Sequence, residues 1–204
     1  MFELFADSTP NARKISIMLE EINESYDLTL INLNKGEQFN EEFKKISPFS
    51  KIPVLRHNKE TIFESGAILI YLADLSGEFY GSNQSLTTQW LMAQMGYIGP
   101  MLGQHHQFHH YNPGKSDFGE DRYFKIAETI YKNLDDHLSI NEYLANEYSI
   151  ADIATFPWIA RHPIHDIGLN KYINLLRWYN QISLRPAVLK GYDLFKDGSI
   201  PPPA

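Results

Sequence analysis

Three groups of residues in this 204-residue chain have the types and spacing for chemistry. The first runs from Ser47 to Ser65: Ser-Pro-Phe-Ser-Lys-Ile-Pro-Val-Leu, a polar stretch, then Thr-Ile-Phe-Glu-Ser. If Ile52-Pro53 is cis, residue 52 turns its N–H and C=O outward, where an extended peptide can pair with them as an added strand. Ser65 is read as the cap of a helix from Gly66 to Ser76, whose first turn offers free N–H groups to a carboxylate. Together these describe a site for a short peptide with an acidic end. The second group is Ser8, Thr9 and Asn11, at the start of a helix beginning near Pro10. A helix N-terminus carries partial positive charge, and a hydroxyl and an amide add donors that favour an anion. The alternative is that Thr9 only caps the helix and Asn11 faces solvent. The third group is His105, His106, His109 and His110, two i, i+4 pairs at a spacing that can bind a divalent metal. The pairs lie about 100° apart on a helix, and no carboxylate is placed as a third ligand, so no metal is expected.

The elements that must position these groups follow from periodicity. Phe2 to Phe5 reads as a strand, residues 10–22 as a helix with Ile15, Met18, Leu19 and Ile22 on one face, and Tyr26 to Leu33 as a second strand. A strand, helix and strand in this order make a parallel unit with a right-handed crossover. A polar loop over 34–41 and a short helix over 42–46 precede Pro53, which opens an apolar strand; proline suits the first residue of an edge strand. Arg56 to Glu60 is turn-like and Thr61 to Phe63 is strand again, which makes a hairpin. In the following helix Ala67, Ile68, Tyr71, Leu72 and Leu75 recur at helical spacing. Beyond a turn-rich connection at 77–85, only helices are expected: Leu86 to about His110, with Gly99-Pro100 as the place for a kink; Phe118 to Leu138, with Tyr123, Ile126, Ile130, Leu134 and Leu138 on one face; Tyr172 to Ser183; and Arg185 to Leu189. Ser149-Ile-Ala-Asp152 has the capping-box pattern with aspartate in place of glutamate, which makes Asp152 structural. Residues 200–204 read as a proline-rich tail. The domains expected are 1–78, an α/β unit, and 85–204, an all-helical one.

Composition narrows the class. With 43% hydrophobic residues the chain can bury a core, and a net charge of −7 argues against nucleic acid and anionic membranes as partners. No apolar run has the length of a membrane span, and Met1 to Asp7 lacks the basic start of a signal peptide, so the cytoplasm is the expected compartment. There is no cysteine, which excludes disulfides, thiolate metal sites and a cysteine nucleophile of the chain's own.

The order of proline loop, hairpin and Glu64-Ser65 helix resembles the glutathione-binding half of the glutathione transferases, over nearly the whole chain. The resemblance implies a thioredoxin-like α/β N-terminal domain followed by an all-α C-terminal domain. It also implies glutathione as co-substrate, with Ile52 pairing with its cysteinyl backbone and Glu64 and Ser65 holding its γ-glutamyl end. Thr9-Pro10-Asn11, Lys35-Gly36-Glu37-Gln38-Phe39, Ile46-Ser47-Pro48, Lys51-Ile52-Pro53, Phe63-Glu64-Ser65-Gly66-Ala67-Ile68 and Gly99-Pro100-Met101-Leu102-Gly103-Gln104 are similar to the Nu-class bacterial members, associated with disulfide-bond reductase activity. By that resemblance Thr9 and Asn11 contact the sulfur, and Gln38 and Lys51 hold the tripeptide beside Ile52, Pro53, Glu64 and Ser65. Gln104, His105, His106 and Phe108 would wall the site of a second substrate, a small disulfide or an electrophile. Asp7-Ser8 departs from the pattern, since an acid beside the sulfur opposes thiolate formation unless it points away. The family also implies a homodimer, with Phe49 placed to insert into a second copy. Two alternatives stay open: a general transferase conjugating electrophiles, and a non-catalytic glutathione-binding regulator of the same fold.

Overall fold

The structure is a computed structural model, and it describes residues 1–195 and 201–204. The chain forms two compact units, residues 1–80 with a C-terminal helix, and residues 81–185 with the last four residues.

In the first unit, β1 (Phe2–Ala6), α1 (Pro10–Glu21) and β2 (Tyr26–Leu30) form the expected crossover, with β1 and β2 parallel from Phe2 opposite Tyr26 to Ala6 opposite Leu30. The second strand ends three residues short of Leu33. Asn32 there accepts from the Lys35 N–H and starts a 3₁₀ turn, Leu33–Lys35, closed by Gly36 at a φ of 75°. After a short α2 (Glu41–Lys44), β3 (Val54–His57) pairs antiparallel with both β1 and β4 (Glu60–Phe63). Among the described residues the strand order is β2-β1-β3-β4. The strand after Pro53 is therefore interior rather than an edge, and the proline is tolerated because it precedes the ladder. Central position explains the apolar run of β1, where Phe2, Leu4, Phe5 and Ala6 are all buried.

Helix α3 (Ser65–Ser76) buries Ile68, Leu69, Leu72 and Ala73. Ala67 and Leu75, expected on its inner face, are exposed. Helix α1 packs on α3 and also on α10 (Pro186–Asp193). The second contact is close: a Cβ on Gly191 would lie 2.9 Å from the Ile17 nitrogen, and the Ser16 hydroxyl donates to the Gly191 carbonyl at 2.8 Å. Residues 186–193, expected in the helical domain, thus belong to the first unit.

The second unit contains α4 (Gln84–Ala93), α5 (Gly99–His105), α6 (Asp117–Leu138), α7 (Ile150–Ile159), α8 (His162–His165) and α9 (Ile173–Ser183). The single long helix expected to residue 110 is instead α4 and α5 separated by a π turn over 94–98, with a second over 106–111. Pro100 sits in the first turn of α5, where its missing N–H would break a regular ladder. On α6 the buried positions are Gly119, Ala127, Ile130, Tyr131, Leu134 and Leu138. The Ser149–Asp152 capping box is present. Asp152 is fully buried and accepts from Leu144 N–H (3.0 Å), Ser149 N–H (3.1 Å) and Trp178 Nε1 (2.8 Å). Of the proline-rich tail, Ile200 lies outside the described residues. Pro201 is buried, and the Pro202 carbonyl accepts from the Tyr179 hydroxyl at 2.6 Å, so this segment is packed.

Candidate functional site

The loop between β1 and α1 is held by its own polar side chains. Thr9 is the N-cap of α1, and its Oγ accepts from the Ala12 N–H at 3.3 Å, so the capping half of the alternative is realised. An accepting hydroxyl keeps its own proton for another partner. The Asp7 carboxylate accepts from Ser8 N–H at 2.8 Å and from Leu33 N–H at 3.1 Å, so it fastens the start of α1 to the exit of β2. The Ser8 hydroxyl oxygen accepts from Arg13 at 2.7 Å. Both residues that depart from the family pattern therefore have structural work.

Across from this loop, Ser47 closes the turn before the proline. Its hydroxyl donates to the Lys51 carbonyl at 2.7 Å and accepts from the Lys51 N–H at 2.9 Å. The Ile52-Pro53 peptide bond is cis. Asn11, Ser47, Phe49, Lys51, Ile52, Pro53, Phe63, Glu64 and Ser65 line one cavity of about 120 Å³. Asn11 is half-buried there rather than facing open solvent.

The start of α3 departs from the expected cap. Glu64, at φ 70° and ψ 117°, is the N-cap residue and makes no side-chain cap hydrogen bond, while Ser65 is the first helical residue. A positive φ is costly for glutamate, and such strain clusters at ligand sites. Glu64 makes no side-chain cap bond, and Glu64 and Ser65 both line the cavity, so the N-terminus of α3 lies at its end, an arrangement suited to an anion beside an acid. Ser65 is 2% exposed, and the Lys14 ammonium lies 3.4 Å from its hydroxyl oxygen. Burial pushes Lys14 down to about 7, with Glu64 pulling it back up.

Of the residues expected to bind the tripeptide, Lys51, Ile52, Pro53, Glu64 and Ser65 meet at this cavity, together with Asn11, expected at the sulfur. Thr9 stands two residues from Asn11 and is not in the lining. Gln38 is in a 3₁₀ turn, Glu37–Phe39, also outside the lining, and its buried side-chain oxygen has no hydrogen-bond partner among the described residues. Lys14 was missed by sequence reasoning, although it lies three residues after Asn11 and so shares its helix face. Phe63, expected as a strand residue and part of the motif of the resemblance but given no site role, forms the aromatic wall beside Glu64.

The expected second-substrate wall is corrected in part. Gln104 is exposed and Phe108 is half-buried, stacked on Tyr123 with ring centroids 5.3 Å apart. His105 and His106 turn inward. The His105 ring meets the His165 carbonyl at 2.8 Å, and His106 Nε2 meets His165 Nε2 at 2.7 Å, with Tyr131 on the other side of His165 at 2.6 Å. These histidines are a buried polar network because their partners come from α6 and α8, which the local spacing cannot reveal. Among the described residues no group of three or more histidine, aspartate or glutamate side chains is arranged to hold a metal ion.

Two family models match: the glutathione S-transferase N-terminal domain over residues 2–74 and the C-terminal domain over residues 115–186. The chain is 39% identical to the disulfide-bond oxidoreductase YfcG of Escherichia coli, over 92% of each chain. It is 33% identical to the disulfide-bond oxidoreductase YghU of the same organism, over 93% of this chain and 73% of that one. Among solved structures it is similar to a Pseudomonas putida glutathione transferase with one glutathione disulfide bound per subunit. That likeness has a TM-score of 0.90 at 36% identity, covering 95% of this chain and 91% of that one. A Burkholderia graminis glutathione transferase with two glutathione molecules bound per subunit has the same TM-score and identity, covering 97% of this chain and 89% of the other. The fold is that of these enzymes, a thioredoxin-like sheet domain with a helical C-terminal domain, and the chain belongs to the glutathione S-transferase family.

Proposed function

We propose that this chain is a glutathione-dependent disulfide-bond reductase. The observation that carries the reading is the cavity that joins Asn11, Lys51, Ile52, Glu64 and Ser65 in a chain without cysteine. The names of the two bacterial relatives, and the glutathione or glutathione disulfide bound in the similar structures, support it.

In this reading Ile52 pairs with the cysteinyl backbone of glutathione, Glu64 faces its α-ammonium group, and Ser65 with the α3 N-terminus holds its α-carboxylate. Gln38 and Lys51 hold the rest of the tripeptide. Thr9 and Asn11 donate to the sulfur and lower its pKa by favouring the thiolate. The thiolate attacks one sulfur of a disulfide held nearby, forming a mixed disulfide and releasing the other sulfur as a thiolate that takes up a proton. A second glutathione thiolate then attacks the glutathione sulfur of the mixed disulfide and expels the second product thiol. Two glutathiones are oxidised to one glutathione disulfide, and one disulfide is reduced to two thiols. The chemistry needs a pool of reduced glutathione, which fits the cytoplasm. The assembly we propose is a homodimer, in which Phe49, 71% exposed, inserts into the second copy. Light scattering showing a monomer at micromolar concentration would remove that part.

The test of the reaction is reduction of hydroxyethyl disulfide with glutathione, set against conjugation of a chlorodinitrobenzene-type electrophile. Faster disulfide reduction supports the reading. Strong conjugation with no reduction would replace it with a general transferase, and glutathione binding with neither activity would leave a regulatory binding protein.

A further inference from the structure

Lys14 sits on α1 one turn beyond Asn11, and its side chain runs to the start of α3. It is 1% exposed, beside a hydroxyl that is 2% exposed. Burying an ammonium is costly unless charge and hydrogen bonds compensate it, and apolar replacements of buried charges are often neutral or stabilising. Glu64 is the acid whose charge acts on it, and the Glu64 side chain is exposed. Arg13, its neighbour on α1, is directed elsewhere, to Ser8 and to the Tyr192 carbonyl.

The donor inventory sets the direction of the contact with Ser65. The Lys14 nitrogen donates to the Ser65 oxygen at 3.4 Å, so the hydroxyl's own proton is directed away from Lys14. Ser65 also lines the cavity. Its hydroxyl is thereby set as a donor, suited to a carboxylate and unsuited to an amide N–H or an ammonium. When protonated, Lys14 adds positive charge to the partial charge at the α3 N-terminus, and an anion bound there favours that protonated form.

We propose that Lys14 is a positioning residue of this site, whose buried amino group orients Ser65 and makes the end of the cavity select a ligand with a free α-carboxylate. The proposal rests on the glutathione reading above and deepens it, since the γ-glutamyl end carries that group. Glu64 then matches the ligand's ammonium and the Lys14–Ser65 pair its carboxylate, so the two residues at the start of α3 read the two charges of one amino-acid end.

The test uses S-methylglutathione, whose blocked thiol keeps sulfur ionisation out of the measurement, titrated calorimetrically into wild type, Lys14→Met, Ser65→Ala and the double variant. Lys14→Met and Ser65→Ala should each weaken binding on the order of tenfold, with the double variant little weaker than either, because both act on one contact. S-methylcysteinylglycine, which lacks the γ-glutamyl end, should bind wild type and Lys14→Met alike. The melting temperature of Lys14→Met should be equal to or above wild type, whereas a merely structural lysine would lower it. Where Lys14→Met does not fold, Lys14→Gln gives the same comparison with the charge removed. If Ser65→Ala weakens binding and the Lys14 variant does not, or if both probes weaken together, the proposal is overturned and the glutathione reading stands. If neither Ser65→Ala nor the Lys14 variant changes S-methylglutathione binding, the placement of the γ-glutamyl end is itself wrong.

Discussion

Arg13 donates to the Ser8 hydroxyl oxygen at 2.7 Å, reaching from the first turn of α1 back to the loop that precedes it. The same guanidinium donates to the Tyr192 carbonyl at 2.9 Å and lies 4.2 Å from the centre of the Tyr192 ring. Helix α10 is thus tied, through one side chain, to the loop that carries Thr9. The Ser8 oxygen serves this structural link, and in the glutathione reading Thr9 and Asn11 are the donors to the sulfur.

Ser8→Ala should therefore leave disulfide reduction near the parent rate and lower stability. Removing one acceptor from a buried charged donor costs about 1.5–3 kcal/mol, a fall of several degrees in a thermal melt. Abolished activity at an unchanged melting temperature would mean that Ser8, and not Thr9 with Asn11, activates the thiol.

Thr9 combines two roles that substitution can separate. Thr9→Val removes both the cap bond to Ala12 and the donor proposed for the sulfur. The cap is worth about 1 kcal/mol of stability, and a hydrogen bond to a thiolate about 1.5–3 kcal/mol, or roughly ten- to a hundredfold in rate. Thr9→Ser keeps both and should stay near wild type. Asn11→Ala should match the rate loss of Thr9→Val with little change in melting temperature. Paired kinetics and melts on the three variants check this, and full activity in Asn11→Ala would exclude it from the chemistry.

Much of this site was legible because its signals are local. Thr9-Pro10 marks a helix start, and Val54-Leu55 and Thr61 to Phe63 flank a turn, Asn58 having a φ of 56°. The turn, the cis Ile52-Pro53 bond and Glu64-Ser65 fall within nineteen consecutive residues (47–65). What the sequence hid depends on distant partners. Lys14 and Arg13 look like the solvent face of an amphipathic helix, yet α3 and α10 cover them. His105 and His106 have the spacing of a ligand pair, and their environment is set by His165 some sixty positions later. Ser65 resembles a cap in every local respect, and only the left-handed backbone of Glu64 moves the cap one residue earlier.

Asp152 makes a prediction independent of the chemistry. Its carboxylate is fully buried and satisfies donors from Leu144, Ser149 and Trp178. Asp152→Ala strands these donors and should destabilise the protein by about 3–5 kcal/mol. Denaturant melts measure it. A loss below 1 kcal/mol would show that the helical unit does not depend on this cap.

The buried histidines predict how stability follows pH. Burial pushes His106 down to about 3, with the Arg161 charge adding to it, and holds His165 well below its ordinary value, with His106 adding to it. Their Nε2 atoms lie 2.7 Å apart, and burial keeps both rings neutral in the folded state. In the unfolded chain each takes up a proton near pH 6.5, so the unfolded state binds more protons below that pH and stability falls with acidification. From pH 7 to 5 the loss is about 2 kcal/mol per histidine. Asp152 works in the opposite direction: burial pushes it up to about 6, so the folded state gains a proton over the same range. That gain is about 1 kcal/mol, smaller than the loss from His106 and His165. His105 and His162, also lowered by burial, add to that loss, so the net change is a destabilisation of at least about 2 kcal/mol. Calorimetry at pH 7 and pH 5 should show a melting temperature lower by several degrees at pH 5. His106→Phe, which keeps a ring against Trp158, should reduce the slope, since one of the groups that take up protons on unfolding is gone. A melting temperature that is flat or rises on acidification would mean that the network accepts a proton in the folded state.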